Sequence, residues 1–140
     1  MSLSQEERLR LVVAALQDKK AADIVVMDLR PLTDTVDYFV ICSATSDQHV
    51  GTLTDEVARR LRDAGDRPWH VEGYEARRWV LIDCVDIVVH LFRHEVREFY
   101  ALERLWGDAP RTRHLSDGEA ETMTTAEVTA AAGEMVFARP

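Results

Sequence analysis

The stretch Trp79–Phe92, WVLIDCVDIVVHLF, limits the fold more than any other part of this chain. Two apolar runs, Trp79–Ile82 and Ile87–Phe92, are separated by Asp83-Cys84-Val85-Asp86. Each run is too short for an ordinary helix and rich in β-branched residues, so each reads as a strand. A join this short forces the two into an antiparallel hairpin. Nearly continuous apolarity suits central strands covered on both faces. Trp79, Asp83, Asp86 and His90 interrupt that pattern, and whatever receives them is the first place to look for function.

The rest of the chain supplies partners for the hairpin. Ser4-Gln5-Glu6-Glu7 is a capping box that opens a helix from about Gln5 to Asp18, with Leu9, Val12, Val13 and Leu16 on one face. Ile24–Met27 is a strand stopped by Pro31, and Tyr38–Cys42 is a second. Ser46 caps a helix from about Asp47 to Ala64 that Gly65 ends. Trp69–Val71 is a short third strand, and a last helix is expected over about Glu95–Trp106, closed by Gly107 and Pro110. The crossover from Tyr38–Cys42 to Trp69–Val71 can lay those two strands parallel. The expected fold class is α/β (α+β), a mixed sheet of about five strands with flanking helices.

With 140 residues, one domain is the simplest organisation, here residues 1–110 followed by a tail, 111–140. The tail is rich in Thr, Ala and Glu, and reads either as disordered or as carrying one short helix from Thr124 to Ala132. The net charge is −8, of which −6 belongs to residues 1–110. That balance argues against direct nucleic-acid binding, which needs clustered Lys and Arg, and suits a basic partner. No run approaches the roughly 18 apolar residues that span a bilayer, and no export signal opens the chain, so a cytoplasmic protein is expected. Cys42 and Cys84 fall within or beside strands and read as reduced thiols.

Catalytic constellations are weak. His90 and His94 stand four apart, but on a strand that spacing spans about 13 Å, so no metal spacing results. Ser43-Ala44-Thr45-Ser46 lies between a strand and a helix, where phosphates bind, yet it has no glycine and no following lysine. Asp28, Asp34, Asp37, Asp83 and Asp86 flank strands without a compact pair, which is the ordinary use of Asp in turns. The more specific local signal is Trp79, Leu81 and Asp83, which share one face of a strand at period two. They read either as core under a helix or as a binding surface.

The blocks DIVVMDL, DYFVICSATS, EGYEARRWVLIDCVDIVVHLF and REFYALERLWGDA, with Gln48 near the start of the second helix, resemble the Iojap-related ribosomal silencing factors over about Ala22–Ala109. The resemblance implies a nucleotidyltransferase-like topology without its catalytic site. It implies a non-enzymatic protein with no cofactor. Its partner would be the large ribosomal subunit, through large-subunit ribosomal protein fourteen at the surface that meets the small subunit. Subunit joining would be blocked and translation lowered when nutrients are short. Two features depart from the family. Cys84-Val85 stands where an aromatic and a glycine are frequent, which leaves the turn type open, and Ser43-Ala44 replaces a Thr-Gly-type loop.

Carried onto this chain, the partner surface lies on the hairpin and the following helix. Trp79 and Leu81 would be apolar anchors, Asp83 and Asp86 would pair with basic side chains, and His90, Arg97 and Tyr100 would complete a polar rim. A nucleotidyltransferase-like enzyme using Ser43, Ser46, Asp28 and Asp37 is the alternative from another class. A homodimer through the same surface is a third reading.

Overall fold

The structure, a computed structural model, describes residues 3–66, 68, 70–100, 107, 109–114 and 120–123. The elements run α1 (Gln5–Asp18), β1 (Ala22–Asp28), β2 (Tyr38–Ala44), α2 (Asp47–Asp63), β3 (His70–Glu72), β4 (Trp79–Asp83), β5 (Ile87–Arg93), α3 (His94–Tyr100), β6 (Arg111–His114) and β7 (Ala120–Met123). Local chemistry starts both long helices where expected. The Ser4 hydroxyl accepts from the Glu7 backbone N–H at 3.1 Å, and the Glu7 carboxylate accepts from the Ser4 backbone at 3.1 Å. Ser46 accepts from the His49 backbone N–H at 3.1 Å. Gly65, at φ 82°, lies just past the end of α2.

One mixed sheet has the order β3-β4-β5-β2-β1-β6-β7. β2 and β5 pair in parallel, and β4 and β5 form the antiparallel hairpin. As the crossover suggested, β3 runs parallel to β2, but it is not that strand's neighbour. It pairs with β4 at the far edge, so α2 carries the chain across β5 and β4. The reason is burial. β5 is apolar on both faces and takes a central place, whereas all three residues of β3 are exposed and tolerate an edge.

The sheet is also wider than the five expected strands. Arg111–His114 pairs with the outer edge of β1, and Ala120–Met123 pairs with β6. The ladder therefore continues past residue 110, where the sequence suggested that a tail begins. The expected helix at Thr124–Ala132 and the second half of the expected Glu95–Trp106 helix lie outside the described residues, as does Trp69.

α1 and α2 cover one face of the sheet. Val12, Leu16, Val50, Leu53, Val57 and Leu61 pack there against Ile24, Val40, Cys42, Val80, Ile82, Val89 and Leu91. Burial of this kind is the main stabilising term in a domain of this size. The second face is built from Val25, Met27, Ile41 and Phe92 under Val96 of α3 and Ala109, with Phe39, Trp79 and Val88 partly buried at its border.

A candidate partner-binding face on β4

β4 alternates. Val80 and Ile82 point under the helices and are fully buried, while Trp79, Leu81 and Asp83 are half-buried on the opposite face. The register places Trp79 opposite Phe92, Leu81 opposite His90 and Asp83 opposite Val88. On the other side, Glu72 lies opposite Leu81 and His70 opposite Asp83. The line read from the sequence is thus a continuous strip one strand in from the sheet edge, and Trp79 at its start packs against the cluster that holds Val96 of α3.

Trp79 has a built floor. Its ring stacks on Phe92, with centroids 5.0 Å apart and planes 25° apart. Its indole N–H donates to His90 Nδ1 at 3.0 Å. His90 in turn meets Phe39 edge to face at 4.4 Å. Burial pushes the His90 imidazole down to about 3, so it is neutral at physiological pH.

The loop before β4 is fixed as closely. Gly73 has φ 80°, and a Cβ there would lie 2.2 Å from the Trp79 carbonyl oxygen. Only glycine lets this loop lie against the start of β4. The Tyr74 hydroxyl donates to Asp55 of α2 at 2.9 Å, and the Arg77 guanidinium lies over the Tyr74 ring at 4.8 Å. Nothing in the local sequence shows that the neighbour of Gly73 is Trp79.

The remaining expected site residues are distributed differently. Asp83 keeps its place on the strip, and its Oδ1 also accepts from the Val85 backbone N–H at 2.7 Å. Asp86 belongs to an internal clasp. Both Arg8 guanidinium Nη atoms donate to its carboxylate at 2.6 Å, and Gln5 donates at 2.9 Å. The Arg8 bond, above all, holds the Asp86 carboxyl below its ordinary range. A partner's cation is therefore not what Asp86 faces, because α1 already supplies one. His90 is 4% exposed and forms floor, not rim. Arg97 donates to the Ser43 hydroxyl at 2.9 Å and to the Asp23 carbonyl, which ties α3 to the end of β2. Tyr100 closes α3, and its side chain lies outside the described residues.

The groups of the enzymatic alternative do not converge. Asp28 binds Arg30 at 2.7 Å, Asp37 accepts from Gln5 at 2.8 Å, and Ser46 caps α2. Among the described residues no three His, Cys, Asp or Glu side chains are placed to hold a metal ion. Cys42 and Cys84 are free thiols, and burial pushes them up to about 12 and about 11. No helix among the described residues is long and apolar enough to cross a membrane.

A family model described as ribosomal silencing factor during starvation matches residues 2–135. The chain belongs to that family. A ribosomal silencing factor from Halalkalibacterium halodurans is 41% identical over 108 residues, covering 77% of this chain and 92% of the relative. The mouse protein named mitochondrial assembly of ribosomal large subunit protein 1 is 33% identical over 116 residues, covering 81% of this chain and 51% of that one. A crystal structure of a Chromobacterium violaceum protein superposes with a TM-score of 0.73 at 34% identity, over 75% of this chain and 88% of that one. The resemblance in the sequence blocks is therefore a family relationship, and the mixed α+β fold is shared.

Proposed function

We propose that this ribosomal silencing factor binds the large ribosomal subunit through ribosomal protein fourteen and blocks its joining with the small subunit. Translation would fall accordingly when nutrients are short. The observation that carries this reading is the Trp79-Leu81-Asp83 strip: an aromatic anchor, an apolar neighbour and a carboxylate on one side of β4, half-exposed beside α3. Anchors of this kind, held in a packed setting, contribute most of the energy of protein interfaces. Asp83 and the net −6 of residues 1–110 suit a basic ribosomal protein. The family description and the name of the mouse relative point to the ribosome and its large subunit. The mechanism is occlusion, with no bond made or broken and no cofactor.

The test is co-sedimentation with separated large and small subunits, with subunit joining followed in the same gradients. Stoichiometric binding to the large subunit alone, with fewer joined ribosomes, is the expected result. Absence of binding to either subunit overturns the reading. Trp79→Ala should then weaken binding of the folded protein by about 2 kcal/mol or more.

A further inference from the structure

We infer that His90 is a positioning residue for partner binding: its Nδ1 holds the Trp79 indole N–H and so fixes the anchor in the orientation it presents on β4. This rests on the reading of the β4 strip as the partner surface. His90 occupies a central place in the sheet, in register with Leu81 on one side and Ile41 on the other. Its chain neighbours Val89 and Leu91 are fully buried, and its ring lies edge-on to Phe39. A phenylalanine would fill so flat and apolar a slot without any polar atom.

The imidazole carries a penalty that packing does not explain. Nδ1 accepts from Trp79, so in the neutral ring the proton sits on Nε2. Nε2 is buried and has no hydrogen-bond partner among the described residues. A buried donor without an acceptor loses its hydration for nothing in return. What histidine gains in this slot is the 3.0 Å bond to Trp79. Together with the Phe92 stack, that bond restrains both the face and the edge of the indole. An anchor ordered before encounter loses less entropy on binding.

Two substitutions separate this role from simple packing. In His90→Phe the slot stays filled but the acceptor is gone, and the Trp79 N–H turns to water. In His90→Asn the amide oxygen reaches the place of Nδ1, but the rest of the ring is missing. Binding to purified large subunits, urea unfolding midpoints and the Trp79 indole N–H resonance are measured for both and for Trp79→Ala. His90→Phe should keep or raise the unfolding midpoint, yet bind at least about tenfold more weakly. Its indole resonance should exchange faster with water. His90→Asn should unfold earlier, yet its folded fraction should bind within about threefold of the parent. Unchanged binding by His90→Phe, with Trp79→Ala impaired, overturns the positioning role and leaves the surface standing. Binding that only tracks lost stability in both His90 variants also overturns it. Unchanged binding by Trp79→Ala overturns the surface and the role together.

Discussion

Arg8 and Asp86 meet through two hydrogen bonds of 2.6 Å, one from each Nη atom, across 78 residues of sequence. The pair ties the first turns of α1 to the tip of the β4–β5 hairpin. Arg8 also reaches Asp66 at 3.2 Å, beyond the end of α2. One cation thus joins both helices to the hairpin that carries the candidate surface. Charge-assisted bonds this short and partly shielded are worth about 1.5–3 kcal/mol. Arg8→Met should lower the unfolding free energy by about 2 kcal/mol near neutral pH. Asp86 has a depressed pKa, so its contribution is present above its unfolded value near 3.8 and is lost as pH falls through the lower folded value. The difference between parent and Arg8→Met should therefore shrink in strong acid. A difference that stays constant down to the acid transition would show that the pair adds little.

Val85 lies at φ 74°, where a β-branched residue is strained. The Asp86 backbone N–H donates to the Cys84 carbonyl at 3.0 Å, closing a tight turn around it. The side chain is 67% exposed, so it contributes little packing in return. Val85→Gly should stabilise the chain by about 1 kcal/mol, the difference between relieved strain and the greater freedom of unfolded glycine. A higher urea midpoint at unchanged slope is the expected signature. A lower midpoint would mean that Val85 makes a contact that outweighs the strain.

Legibility in the sequence followed the range of the interactions. The hairpin, the capping box at Ser4 and the cap at Ser46 depend on residues a few positions apart, and all three are where their patterns placed them. β6 was illegible because Arg-Thr-Arg-His has no apolar alternation; the backbone edge of β1 recruits it. Asp86 read as a partner-facing carboxylate because nothing local announces Arg8. The hairpin register did hold a usable signal for His90. Counting back from the turn puts it opposite Leu81 and two pairs from Trp79, on the same face and within reach of the indole.

Gly73→Ala should be strongly destabilising for so small a change. The added methyl would sit 2.2 Å from the Trp79 carbonyl, and φ 80° disfavours any Cβ. Both penalties act on the loop entering β4, so a loss of about 2 kcal/mol or more is expected. Trp79 fluorescence should change in the folded state as the strand start shifts. Unaltered stability and fluorescence would show that the loop relaxes without moving the strip.

Asp83 serves the turn and the strip at once, and Asp83→Asn separates the two uses. Asparagine keeps the side-chain oxygen that accepts from Val85 and is itself a good turn residue. Stability should stay within about 0.5 kcal/mol. Association with the large subunit should slow and become less sensitive to salt, because a charge facing a basic partner acts mainly on encounter. Kinetics at two ionic strengths would test this, and an unchanged salt dependence would remove Asp83 from the interface.

His90 predicts a pH dependence of its own. Its folded pKa of about 3 lies below the ordinary 6.5, so the unfolded chain binds the extra proton between those values. Stability is then fully present above about pH 6.5 and falls as pH drops, by about 1.4 kcal/mol per unit once the unfolded imidazole is protonated. His114 is lowered too, by partial burial, and adds a shift of the same sign. Comparison with His90→Phe subtracts that contribution and the carboxylates alike. Urea midpoints between pH 7.5 and 5 should fall more steeply for the parent than for His90→Phe. Parallel curves would mean that the imidazole takes up its proton in the folded state, which the apolar slot between Phe39 and Phe92 opposes.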